Sequence, residues 1–231
     1  YSIKQSDGSY KELRMKAYDL NGHGTDNGPN SVLLSGREFG TTIGANSTAE
    51  GYGTTASSHS SHAEGYSTTA SGLSSHAEGY YTTASDSSSH AEGYYTTASG
   101  LYSHAEGDYT TASGLYSHAE GDSTTASGHS SHAEGDSTTA SGHSSHAEGY
   151  YTQANTYVSH AQGKYNKALA GDPSAYFATA DAMVIGNGTN ATDGASNCFR
   201  VTFDGKVYGL SAFNSSGADY SEFFEWQDEN P

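Results

Sequence analysis

Eight histidines recur at intervals of 14 residues: His62, His76, His90, His104, His118, His132, His146 and His160. Glu64, Glu78, Glu92, Glu106, Glu120, Glu134 and Glu148 stand two places after the first seven. Imidazole beside carboxylate is the pairing used for general acid–base work and for metal ligation. A catalytic centre, however, brings differently tuned groups together in one cleft, whereas these pairs are equivalent along the chain. The alternative is that they are architecture, and the elements carrying them decide between the two.

From Ser47 to Asp172 the sequence divides into nine consecutive 14-residue units without insertion, each made of two heptads. In "SHAEGYSTTASGLS", residues 61–74, both heptads place Ala third and Gly fifth. The third position is Ala in every heptad of the array, from Ala49 and Ala56 to Ala161 and Ala168. The fifth is always Gly in the first heptads, Gly51 to Gly163, but relaxes to Ser58, Asp86, Thr156 and Ala170 in the second. A coiled coil would need apolar seams, and Ser, Thr, Ala and Gly supply none. Glycines at about 1 kcal/mol each in a helix also reject that element.

Short strands with tight corners fit. Alternation puts small residues (positions one, three and five) on one face and His/Glu or Thr/Ser (positions two and four) on the other. Small inner faces let two backbones approach closely, so each unit is one rung of a narrow two-stranded coil. Nine rungs at about 4.8 Å make a rod of roughly 40 Å. The fifth-position glycine suits a corner with positive φ or close backbone approach. Its strictness in the first heptad alone implies that one corner meets a tight contact and the other meets solvent. Upstream, "SVLLSGREFGTTIGANS" reads as a degenerate starting rung with Val32 and Leu34 at positions two and four. Downstream, "AMVIGNG" places Met183 and Ile185 there. Apolar residues at both ends of the His/Glu row argue for an inward-facing location. Phe199, Val201 and Phe203, a turn at Asp204-Gly205 and then Val207 signal a β-hairpin.

Composition sets the outer bounds. The 231 residues carry 9 basic and 26 acidic side chains, a formal charge of −17, which excludes nucleic acid and anionic membrane surfaces as partners. The single cysteine, Cys198, rules out an intrachain disulfide and a cysteine-based metal module. No apolar run reaches the roughly 20 residues of a membrane span, so no membrane insertion is expected. The start at Tyr1 reads as that of a fragment or processed product. So few large apolar residues cannot build a thick core; a thin repetitive fold, partner chains, or both are required.

"SHAEG…TTASG" at a 14-residue period, approached through "NSVLLSG", resembles the head repeats of trimeric autotransporter adhesins, which recur in phage fibres. The resemblance covers roughly residues 30–172. It implies an all-β fold: a homotrimeric, left-handed parallel β-roll (a solenoid), here followed by a short β-hairpin region. It also implies two identical partner chains, packed through the face carrying positions two and four. His62, Glu64, His76, Glu78, His90, Glu92, His104, Glu106, His118, Glu120, His132, Glu134, His146, Glu148 and His160 would then form a polar ladder along the trimer axis. Such a network fixes register and partner when its members are satisfied. No cofactor and no resident metal are expected, although rings of three His or Ser at the axis could trap an ion or waters.

A second resemblance lies in "VIGNGT…SNCFRVTFDGKVYG" followed by "SSGADYSEFFEWQDENP". It is similar to the junction between fibre and self-cleaving intramolecular chaperone in phage appendage proteins, which implies that the chaperone body would begin near Pro231. The acidic tail is the one place where catalysis is conceivable. Ser216 would attack the preceding carbonyl while Asp219 or Glu222 handles the proton, in a single turnover. The opposing reading is an acidic surface turn. Otherwise no enzyme is expected, because the array singles out no carboxylate pair.

Tyrosines cluster at the variable corners: Tyr80, Tyr81, Tyr94, Tyr95, Tyr109, Tyr150 and Tyr151, with Tyr66, Tyr102 and Tyr116. They are the candidate receptor surface for a host-surface carbohydrate or protein; the plainer reading is that they stack along the rod. Asp108, Asp122 and Asp136 share one corner column, in a motif unlike calcium-binding glycine-aspartate repeats. The Thr ladder argues against an ice-binding solenoid, since adjacent Thr68 and Thr69 point to opposite faces. The chain thus reads as a connector (1–30), a degenerate starting rung (31–46), nine repeats (47–172), a closing rung with hairpin (173–209) and an acidic tail (210–231). The expected role is a structural and adhesive segment of a phage or prophage tail appendage, on the virion, binding a host-surface glycan. The alternative is a bacterial trimeric adhesin at the cell surface.

Overall fold

The computed structural model describes residues 2–4, 10–12, 32–33, 43–167 and 171–210. Among these there is no helix. Five-residue strands alternate with two-residue strands, His62–Tyr66 then Thr69–Ala70, His76–Tyr80 then Thr83–Ala84, at one pair per 14 residues. The long strands stack in parallel from Thr48–Tyr52 to His160–Lys164, and the short ones from Thr55–Ala56 to Gln153–Ala154, giving two sheets of one β-solenoid. Pairing is in strict register: His90 lies opposite His104, Glu92 opposite Glu106, and Thr97 opposite Thr111. Every residue type therefore forms a column along the rod.

The core is two rows of methyl groups. Ala63, Ala70, Ala77 and Ala84, and their equivalents up to Ala147, are 0% exposed, flanked on the same inward face by buried Ser and Thr. A buried methyl contributes only about 0.8 kcal/mol, so the backbone ladder carries much of the fold. Even the corners join rung to rung, as in Tyr95 N–H to Tyr80 O (2.8 Å) and Ser74 N–H to His59 O (3.0 Å). The strict first-position serine has a job beyond being small. Its buried hydroxyl donates to the carbonyl three residues earlier: Ser75 to Gly72 (2.8 Å), Ser103 to Gly100 (2.6 Å), Ser117 to Gly114 (2.7 Å). That bond closes the turn leading into these long strands, whereas Ser145 Oγ, before His146–Tyr150, has no partner.

The matching threonines of the second heptads behave differently. Thr68, Thr82, Thr96, Thr110, Thr124 and Thr138 are fully buried, and their Oγ1 atoms have no hydrogen-bond partner. A buried, unpaired hydroxyl costs free energy that an isosteric methyl does not. Thr110→Val should therefore leave stability unchanged or raise it by about 1 kcal/mol, read as a higher urea midpoint at constant slope. A drop of similar size would show that the hydroxyl is satisfied.

The glycine corners correct one expectation. The strict glycines are the exposed ones, and they hold φ near +110°, as at Gly93 (+111°) and Gly107 (+111°). A Cβ would strike a carbonyl oxygen of the next rung in both glycine columns, so that contact does not separate them. The relaxed position is the buried one, at Gly72, Gly100 and Gly114, and its φ is ordinary. Side chains at Ser58, Asp86 and Thr156 thus occupy it without backbone strain. Backbone conformation, rather than a solvent-facing corner, explains the difference.

Position seven was not marked by any residue type. Every heptad from Asn46 to Tyr165 places it in the left-handed region, with φ between +45° and +68°. Besides Asn46 and Gly53, the occupants are Ser and Tyr, and even Val158, which disfavour this conformation by roughly 1–2 kcal/mol each. They are held there because their N–H groups bond the preceding rung.

The ends differ from the nine uniform units that the spacing implies. Eight short strands are present, and none follows His160–Lys164 among the described residues. Asn166 takes that place: its amide accepts from Gln153 N–H (2.7 Å) and donates to Gln153 O (2.9 Å), imitating a strand neighbour. On the other sheet Asp181–Asn187 continues the stack, with Met183 in register with His160 and Ile185 with Gln162. Asn197–Thr202 and Val207–Gly209 then add antiparallel strands around a turn at Gly205 (φ +83°). Arg200 clamps this end, 3.2 Å from buried Asp181 and stacked 4.0 Å over Tyr208. At the start, Val32–Leu33 pairs in parallel with Thr48 and Ala49. Ser2–Lys4 and Tyr10–Glu12 form an antiparallel pair.

Candidate functional site

The long sheet turns its His/Glu face away from the alanine core. Because the strands are parallel and in register, identical side chains lie directly above one another. The imidazoles from His62 to His160 form one stack, with centroids 4.7–4.8 Å apart and rings nearly parallel. In the first five pairs, His62–Glu64 to His118–Glu120, Nε2 lies 3.6–3.9 Å from the carboxylate of its own strand. From His132 onward the nearest carboxylate belongs to the preceding rung: Glu120 at 4.0 Å, then Glu134 to His146 at 3.3 Å and Glu148 to His160 at 3.4 Å.

The side chains of this row are about one-third exposed, for example 37% at His104 and 35% at Glu106. The reacting nitrogens are not. Nε2 of His62, His76, His90, His104, His118, His132 and His160 has no surface and no hydrogen-bond partner. Burial, followed by the neighbouring rings of the stack, holds His76 and His104 below the usual imidazole value. Burial, with the hydrogen bonds and charge of Glu92 and Glu64, pushes the Glu78 carboxyl up. At His76 and His104 the neutral imidazole is thereby favoured, the form that can act as a ligand. Groups of three donors, such as His90, Glu92 and His104, lie close enough to share an ion. The row repeats the same residue types along the stack and does not assemble two contrasting groups in a cleft.

The tyrosines gather at the corner after each long strand. Tyr52, Tyr66, Tyr80 and Tyr94 stack at 4.9–5.2 Å, and Tyr81, Tyr95 and Tyr109 form a second column at 4.9–5.1 Å. The two columns meet edge to face, as at Tyr94–Tyr95 (4.7 Å). The column then changes to Asp108, Asp122 and Asp136, with Ser123 and Ser137 donating to the last two at 2.7 Å. Tyr150 and Tyr151 resume it beyond, against Tyr165, whose hydrogen bond pushes the Tyr150 phenol up to about 12. Stacking covers the ring faces, so the corner offers ring edges and hydroxyls. Sequence spacing placed these tyrosines on a corner but could not show the pairing of columns.

Ser216, Asp219 and Glu222 lie outside the described residues. The recess lined by Gly171, Asp172, Pro173, Phe177, Thr179 and Ala180 has one titratable group, Asp172. Hydrogen bonds from Ser174 hold that carboxyl low, so it is a turn cap.

Parallel 14-residue rungs, an alanine core and side-chain columns define a β-solenoid of the kind that builds adhesin heads. The family comparison gives the same class: residues 63–85, 91–117, 119–145 and 133–152 match the YadA head domain repeat. These stretches all lie within the array, which is thus similar to the head repeats of trimeric autotransporter adhesins. No curated protein matches the chain.

Proposed function

We propose that the chain is a structural and adhesive segment of a homotrimeric fibre, with the His/Glu row facing two sister chains. One observation carries this reading. The row is an in-register face, about one-third exposed, in which every Nε2 from His62 to His160 except that of His146 lacks a hydrogen-bond partner within the chain, and it continues into Met183 and Ile185. Three copies meeting through it would cover the apolar end and the exposed parts of the polar middle. The tyrosine corner, Tyr80, Tyr81, Tyr94, Tyr95, Tyr109, Tyr150 and Tyr151, then stands outside. Its rows of hydroxyls and ring edges suit hydrogen bonding to a host-surface carbohydrate or protein.

The C-terminal sequence favours a phage tail appendage as the setting. The head-repeat match favours a second reading, a bacterial surface adhesin. Coding sequence downstream separates them: a chaperone domain supports the first, a membrane barrel the second.

The face itself is tested by His104→Met combined with Glu106→Ile, which copies the Met183/Ile185 rung. Replacing an interfacial polar pair by apolar residues is neutral or stabilising by about 1–4 kcal/mol. The trimer should persist with an equal or higher melting temperature. Dissociation to monomers, or aggregation without a defined oligomer, would contradict the packing.

A further inference from the structure

The His/Glu row also holds ligand atoms in a repeating arrangement within a single chain. His90, Glu92 and His104 each bring one donor atom, and these donors lie within 4.8 Å of one another. The same holds for His104, Glu106 and His118, for His118, Glu120 and His132, and for Glu134, His146 and Glu148. Independently, Nε2 of His90, His104, His118 and His132 is a buried nitrogen with no hydrogen-bond partner, a group that gains from any ligand able to reach it. We propose that this row binds divalent transition-metal ions of the zinc type, each held between successive rungs by imidazole nitrogen and carboxylate oxygen.

The donor set selects the metal class. Imidazole with carboxylate suits zinc, cobalt, nickel and copper, whereas calcium and magnesium take oxygen shells. Zinc bonds of roughly 2.0–2.2 Å require two donors to come within about 4.2 Å, so small side-chain rotations would close each group onto an ion. Three protein donors leave a fourth position for water. The net charge of −17 draws cations to the rod. Every ligand of a site comes from one chain, so binding does not rest on the trimer.

Sharing limits the occupancy. His104 belongs to two groups and His118 to two, and one Nε2 serves one ion. Filling only groups that share no ligand leaves His90/Glu92/His104, His118/Glu120/His132 and Glu134/His146/Glu148, which is three ions per chain among the described residues.

The test is titration of the chelator-stripped chain with Co²⁺, following the visible bands of four-coordinate cobalt and their loss on adding Zn²⁺. Saturation near three per chain is expected. His104→Gln removes two overlapping groups and should lower the number to two. Glu92→Gln, which keeps every ring, should also give two. His129→Gln, at the opposite corner, should leave three. Far-UV circular dichroism confirms that each variant is folded. Absence of saturable binding, or a stoichiometry that the His104 and Glu92 variants do not change, would overturn the proposal.

Discussion

Ala105→Leu should destabilise the folded rod by 3 kcal/mol or more, or prevent it from forming. Ala105 is 0% exposed, in register with Ala91 and Ala119, and packed towards the alanines of the short strands. Overpacking a conventional core costs about 1–3 kcal/mol because neighbouring side chains shift. Here the facing alanines have no rotamers to change, and the sheets are tied together by backbone turns. Room for three more carbons must come from parting the sheets, which breaks rung-to-rung hydrogen bonds such as His104 N–H to Ser117 O (2.9 Å). Leu at exposed Ser113 should alter stability by no more than about 0.5 kcal/mol. Denaturant unfolding of the two variants decides the matter; equal midpoints would mean that the alanine rows are not the core.

Gly107→Ala is the second large effect. At φ +111° an alanine pays conformational strain of about 1–3 kcal/mol. Its Cβ would also collide with the carbonyl oxygen of Gly121. The combined cost should exceed 3 kcal/mol. Gly114→Ser is the matched comparison, since its Cβ would meet the Gly128 carbonyl oxygen just as closely while its column has ordinary φ and already accepts Ser58 and Asp86, so the difference isolates the conformational term. The melting temperature should fall far more for Gly107→Ala than for Gly114→Ser. A reversed order would remove the conformational explanation of the strict glycines.

These two substitutions mark what the sequence made legible. Ala at every third position and Gly at the strict fifth are responses to constraints that only one residue type satisfies, so composition reveals them. Position seven is the opposite case. Its left-handed conformation is imposed by hydrogen bonds to the preceding rung, and Ser, Tyr and Val158 tolerate it, so no residue signals it. The serine hydroxyl bonds were hidden because Ser also qualifies as a small residue. Asn166 was illegible for another reason: a side-chain amide replaces a strand there, and strand patterns do not encode that.

The candidate site was legible as a row and not as an environment. Periodicity aligned His with His and Glu with Glu. It could not give the desolvated Nε2 atoms, or the change of carboxylate partner at His132, because both arise from the depth and tilt of stacked rings. The tyrosine corner was likewise recognised as exposed, while the stacking that hides its ring faces depends on rung spacing.

The central claim is that the His/Glu face is an interface between three copies of this chain. Sedimentation equilibrium, at concentrations where circular dichroism shows the strands formed, tests it most directly. The expected result is a single species of three times the 24.0 kDa chain mass. A folded species of one chain mass, stable across the concentration range, would contradict it.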